Sequence, residues 1–187
     1  MGTELEAKMQ VHDHAPLRER LREHDATRVG AVMEFNTFFD TPDRALLTSD
    51  KGLRVRRACD FETGDERHVV TYKGPQQSGE LKNREEIEIV ADDGEQASLL
   101  LQRLGYAPTL SFEKRRETWR MGDCEVVLDE LPQLGCFVEI EGPDEEAVLE
   151  VREALELDDR PLVKTSYIAM VDELLKTTGA TSLEFEG

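Results

Sequence analysis

The stretch Thr3-Glu4-Leu5-Glu6-Ala7-Lys8 carries a charge at every second position from Glu4 onward. In an extended strand successive side chains point to opposite faces, so Glu4, Glu6 and Lys8 share one face while Leu5, Ala7 and Met9 share the other. Half-buried strands commonly have one wet side. What needs explaining is that this wet side is fully ionised.

The pattern recurs along the chain. Arg54 and Arg56 oppose Leu53 and Val55, Thr71 and Lys73 oppose Val70 and Tyr72, and Arg84, Glu86 and Glu88 oppose Ile87 and Ile89. Lys114 with Arg116, Glu125 with Asp129, and Glu139 with Glu141 complete the series. An ordinary wet face mixes Thr, Ser, Gln and Lys, whereas these faces segregate into acidic strands (4/6 and 139/141) and basic strands (54/56 and 114/116).

Strands are predicted over 3–11, 31–40, 52–59, 67–73, 84–90, 108–121, 124–128 and 136–141, with turn signals such as T-P-D, E-T-G-D, G-P-Q-Q-S-G and M-G-D between several of them. Connections this short join antiparallel neighbours. Helices are predicted after Asp13, from about 93 to Gly105, over about 144–157, and over about 163–178 with Gly179 as the closing residue. The expected fold is α+β: a closed eight-stranded antiparallel β-barrel with a charged lumen and flanking helices, since closure removes sheet edges. At 187 residues the chain suits one domain, 1–187, with an acidic tail over about 180–187.

The formal charge is -18, from 41 acidic and 23 basic residues. Such an exterior repels nucleic acid and anionic lipid, which argues against both as partners. Only seven of the bases are Lys, and with the acid excess this points to a surface adapted to high internal salt. No apolar run reaches the length of a membrane span or a secretory signal, so a cytoplasmic protein is expected. Cys59, Cys124 and Cys136 are odd in number and lack C-x-x-C spacing, so each is read as a small buried hydrophobe. His12, His14, His24 and His68 fall in cap or turn contexts and are read as surface residues.

If the apolar faces turn outward under the helices, the charged faces line a lumen of both signs. Clustered carboxylates are costly there unless metal ions neutralise them, and clustered guanidinium and ammonium groups unless an anion does. A metal-bound polyanion is the natural guest. Carboxylates with water suit Mg²⁺ or Mn²⁺, Arg matches phosphate with a planar fork, and the lack of a thiolate or His cluster argues against zinc. No G-x-x-x-x-G-K-[ST] loop appears, so side chains rather than a helix N-terminus are expected to hold the phosphates.

E-L-E-A-K resembles the E-x-E-x-K signature of the CYTH superfamily, the triphosphate tunnel metalloenzymes. The resemblance continues in order through F-F-D-T-P, L-R-V-R-R, T-Y-K-G-P, R-E-E-I-E, E-K-R-R, V-L-D, L-G-C-F-V-E-I-E and K-T-S-Y, nearly the whole chain. It implies an eight-stranded tunnel binding triphosphate and divalent metal. It implies Glu4, Glu6, Glu139 and Glu141 as metal ligands with Asp129 beside them, and Lys8, Arg54, Arg56, Lys73, Arg84, Lys114 and Arg116 as phosphate ligands. Among these Lys8, Lys73 and Arg116 are the catalytic candidates; Lys164 is a candidate at the tunnel mouth, and Glu86 a tunnel carboxylate without an assigned role. The wording is closest to the class IV adenylyl cyclase-like branch, implying conversion of ATP to cyclic AMP and pyrophosphate and, as in related cyclases, a homodimer. Phe38 and Phe39 stand where thiamine triphosphatases carry a tyrosine, which argues against a thiamine substrate. Inorganic tripolyphosphatase or organic triphosphate hydrolase activity is the alternative, and a non-catalytic polyphosphate or nucleotide module the third.

Overall fold

The computed structural model describes residues 2–77 and 81–186; for residues 2–4, 82 and 83 it describes the backbone alone. Strands β1 (Gly2–Val11), β2 (Thr27–Asp40), β3 (Gly52–Asp60), β4 (Glu66–Lys73), β5 (Lys82–Ala91), β6 (Ala107–Met121), β7 (Cys124–Leu131) and β8 (Gly135–Gly142) form one antiparallel sheet. Helices α1 (Ala15–Glu23), α2 (Ala45–Thr48), α3 (Gly94–Arg103), α4 (Glu145–Ala154) and α5 (Tyr167–Thr178) flank it. The eight predicted strands and four predicted helices are all present. Neither α2 nor β9 (Ser182–Leu183) is among the predicted elements; β9 runs parallel to β6 and seats Leu183 in the core, and beyond it the Phe185 N–H donates to Glu113 while its ring lies against Arg115.

The strand order is β2-β3-β4-β5-β1-β8-β7-β6, and the sheet curls far enough for β6 to pair with β2. The wall is splayed along one seam. β1 meets β5 only between Gly2 and Glu6, the remainder of β1 lies beside Leu162 and Val163, and residues 87–91 of β5 pair with β4 alone among the described residues. The closed barrel expected from sequence is therefore corrected to a curled sheet that is open on the β5 side. The physical reason is register: β1 and β5 are offset along the seam, so half of each strand finds no partner in the other.

The apolar faces turn outward as the alternation predicts. Ala7 and Met9 join Val126, Leu128, Val138, Ile140 and Trp119 in a core covered by Leu17 and Leu21 of α1 and Val148 and Val151 of α4. At Gly142 an added Cβ would sit 2.8 Å from both the Cys124 sulfur and a Val148 methyl, so only glycine lets α4 approach this closely. Burying each large aliphatic side chain is worth about 1.5–3 kcal/mol, so this outer core, not the ionised inner face, holds the sheet curled.

A second core lies on the inner face at one end. Phe38, Phe112, Leu131 and Phe137 share their strand faces with Asn36, Lys114, Asp129 and Glu139 respectively, and pack against Val171 and Leu175 of α5. Each of these strands thus changes from charged to apolar along one face, and the apolar ends meet as a plug. Gly179 closes α5 in the left-handed conformation as predicted, with φ of 73°, although the helix starts at Tyr167, later than expected.

Candidate active site

The curled sheet encloses a cavity of about 1050 Å³, at the upper end of the range for small-molecule sites. Among the described residues its wall carries eight basic and eight acidic side chains, including Glu6, Lys8, Arg54, Arg56, Lys73, Arg84, Lys114, Arg116, Glu139 and Glu141. In a chain of net charge -18 this balanced wall is where positive charge gathers.

Pairing brings the acidic side together. In the β1–β8 ladder Glu6 faces Glu141 and Lys8 faces Glu139. Glu6, Glu139 and Glu141 each offer an oxygen within 4.8 Å of the others, with Glu6 and Glu139 buried. An all-oxygen set of this kind fits Mg²⁺ or Mn²⁺ and not a thiolate-seeking metal.

The basic side is a network. Lys114 Nζ lies 3.2 Å from Glu34 and 3.1 Å from Asp129. Arg116 donates to Asp129 at 2.8 and 2.6 Å and to Glu139 at 2.7 Å. Arg56 reaches Glu34 at 3.2 Å and Glu88 at 3.3 Å, while Arg54 donates to Asn36 and Thr71. Burial and then the Arg56 charge lower the Arg54 guanidinium to about 10, still protonated near neutrality. Burial alone would raise the Glu34 carboxyl, but Lys114, Arg116 and Arg56 outweigh it and hold it well below the usual carboxylate range.

Residues 2–168 match the CYTH domain. The chain belongs to that family. It is 27% identical over 176 residues to the Methanocaldococcus jannaschii protein MJ0240, covering 89% of this chain and 97% of that one. It is 32% identical over 153 residues to the adenylate cyclase CyaB of Aeromonas hydrophila, covering 82% of this chain and 68% of CyaB. Among solved structures, the PH1819 protein of Pyrococcus horikoshii superposes with a TM-score of 0.79 at 28% identity, covering 91% of this chain and 99% of that one.

Within this CYTH fold most predicted site residues with described side chains line the cavity; Asp129 and Lys164 are not among the described lining residues. Asp129 is fully buried and ion-paired with Lys114 and Arg116, and the carboxylate trio found among the described residues does not include it. Lys164 is exposed on the segment before α5 and is not among the described residues that line the cavity. Its neighbour Thr165 instead offers its carbonyl to Lys8 Nζ at 2.6 Å. The Glu4 backbone pairs with Arg84, and its side chain lies outside the described residues. Glu86 lies 3.0 Å from Lys73 and so acts as its counter-ion. Arg84 is buried, 3.6 Å from Asp50.

Ser166, Tyr167, Ile168 and Ala169, at the start of α5, also line the wall. The Tyr167 ring lies 4.1 Å from Lys8 Nζ and 5.3 Å from Lys114 Nζ. Its hydroxyl is buried without a hydrogen-bond partner among the described residues, and burial, then Asp129 and Glu139, push its pKa well above normal.

Sequence reasoning missed Glu34, Asn36, Tyr167 and the anchoring role of Asp40. M-E-F-N-T-F-F does alternate, but Phe38 follows Glu34 and Asn36 on the same face and masks the signal. Asp40, buried, accepts backbone hydrogen bonds from Thr41, Leu46 and Leu47, which fixes the loop that brings Leu47, Asp50 and Lys51 to the cavity. His14 is buried, not at the surface, and its Nε2 lies 2.9 Å from the Phe137 carbonyl. All three cysteines are free, though only Cys124 is fully buried; Cys59 and Cys136 are half-buried. Among the described residues no helix is long and apolar enough to cross a membrane.

Proposed function

We propose that this CYTH chain is a cytoplasmic, divalent-metal-dependent enzyme acting on a triphosphate, and that its reaction converts ATP to cyclic AMP and pyrophosphate. One observation carries the reading: the trio Glu6, Glu139 and Glu141 shares a single cavity with the cationic group Arg56, Lys114 and Arg116. The adenylate cyclase name of CyaB, at 32% identity, supports the choice of reaction.

Glu6, Glu139 and Glu141 would hold Mg²⁺ or Mn²⁺, which when bound supplies positive charge to the phosphate oxygens. Arg54 and Arg56 on one side and Lys114 and Arg116 on the other grip the phosphates and neutralise the charge that shifts between their oxygens. Lys8, buried in the wall, and Lys73 add point charges to this clamp. In-line attack forms the bond from the ribose 3′-oxygen to the α-phosphorus as the bond to the departing pyrophosphate oxygen breaks. The apolar plug of Phe38, Phe112 and Phe137 closes one end of the cavity to water.

Hydrolysis of tripolyphosphate is the second reading. It is favoured by the fact that the clamp is built of groups that recognise phosphate whatever is attached to it. The test is to incubate the protein in high KCl with Mg²⁺ or Mn²⁺ and either ATP or tripolyphosphate, then separate the products. Cyclic AMP with pyrophosphate supports the cyclase. Orthophosphate with ADP or pyrophosphate makes it a hydrolase, and binding without turnover makes it a binding module.

A further inference from the structure

We infer that Glu34 is a positioning residue: it holds Arg56, Lys114 and Arg116 where the transferring phosphate needs them, and it does so at the expense of ground-state affinity. The inference rests on the triphosphate reading above.

β2 lies between β3 and β6, with Glu34 registered against Ala58 on one side and Lys114 on the other. From that central place its carboxylate reaches Arg56 at 3.2 Å, Lys114 at 3.2 Å and Arg116 at 3.9 Å. Its side chain is 2% exposed and does not line the cavity, so it acts through these three cations. Arg56 is gripped at both terminal nitrogens, by Glu34 and Glu88, while its Nε is buried without a partner among the described residues. Lys114 is held between Glu34 and Asp129, which approach it from neighbouring strands on either side.

A wall built to attract phosphate gains nothing in attraction from a buried anion, because that anion competes for the same donors. A buried ion pair is also a weak source of stability, since apolar residues of similar volume often serve as well. What Glu34 does provide is a fixed origin for three long side chains on two different strands. Their placement matters most where the reacting geometry is narrow.

The experiment compares wild type, Glu34→Gln and Glu34→Asp. It measures folding by circular dichroism, tripolyphosphate binding by calorimetry with Mg²⁺ absent, and turnover of whichever triphosphate the wild type consumes. Gln keeps the shape and removes the competing charge. Its tripolyphosphate affinity is expected to stay level or tighten while kcat falls at least about tenfold. Asp keeps the charge and loses the reach, so its kcat falls similarly with no gain in affinity. Parallel loss of affinity and kcat in folded Glu34→Gln, or turnover retained in either folded variant, overturns the inference. If Glu34→Gln does not fold, Glu34→Asp alone decides: a lower kcat with unchanged affinity supports positioning, and wild-type kcat refutes it. A wild type that neither binds nor turns over tripolyphosphate or ATP removes the triphosphate reading itself, which is a separate failure.

Discussion

Replacing Asp129 by Asn separates the two roles this residue has been given. As a counter-ion it accepts from Arg116 at 2.8 and 2.6 Å and from Lys114 at 3.1 Å, with no exposed side-chain surface. Asn retains one acceptor but sets an amide NH₂ against a guanidinium, leaving two cations short of charge in a buried place. Removing one partner of a buried pair costs about 3–5 kcal/mol, and near this chain length each kcal/mol lowers the melting temperature by about 2–4 °C, so a fall of about 6–20 °C is expected. Far-UV circular dichroism on EDTA-treated protein reads the melt, and calorimetry with Mn²⁺ reads the metal site. Mn²⁺ affinity is expected to fall by less than about tenfold, below the loss seen when a ligand's direct partner is removed. A melting temperature within about 2 °C of wild type, combined with lost Mn²⁺ binding, would refute the counter-ion argument and return Asp129 to the metal.

The metal trio makes its own prediction: Glu6→Gln and Glu141→Gln should each weaken Mn²⁺ binding at least about tenfold by calorimetry and nearly abolish turnover. Full Mn²⁺ affinity in both variants would remove the metal assignment. Burial, partly opposed by the Phe137 carbonyl, lowers the His14 pKa below its ordinary 6.5. The unfolded chain then binds the extra proton first, so the stability His14 contributes is complete above pH 6.5 and is lost as the pH falls from there toward the folded-state value. Urea midpoints against pH should show that slope in wild type and a shallower one in His14→Gln; equal slopes would reject it. Finally, with a charge of -18 the melting temperature should rise with KCl, and a melt indifferent to KCl would dismiss adaptation to high salt.

Local patterning alone was enough to assign the eight long strands, because period-two alternation is a property of the backbone and survives in any tertiary setting. It also separated outward from inward residues: Ala7 and Met9 lie in the outer core, while Glu6 and Lys8 line the cavity. The family could be read from the order of the charged strands, and the cationic part of the cavity wall from their sign.

What the alternation leaves open is which strands become neighbours. The carboxylate trio exists because β1 pairs with β8, across more than 130 residues, and no local signal encodes that register. The same holds for Asp129, whose strand face reads like that of a ligand. Its depth behind Arg116 depends on the curl of the sheet. Glu34 was hidden for the related reason that β2 is polar at one end of its inner face and aromatic at the other, so its average looks like an ordinary half-buried strand. The offset between β1 and β5 that leaves the wall open is likewise a matter of long-range register. Alternation determines a side chain's face; pairing across the sheet determines its neighbours and its distance from water, and the chemistry of this cavity depends on both.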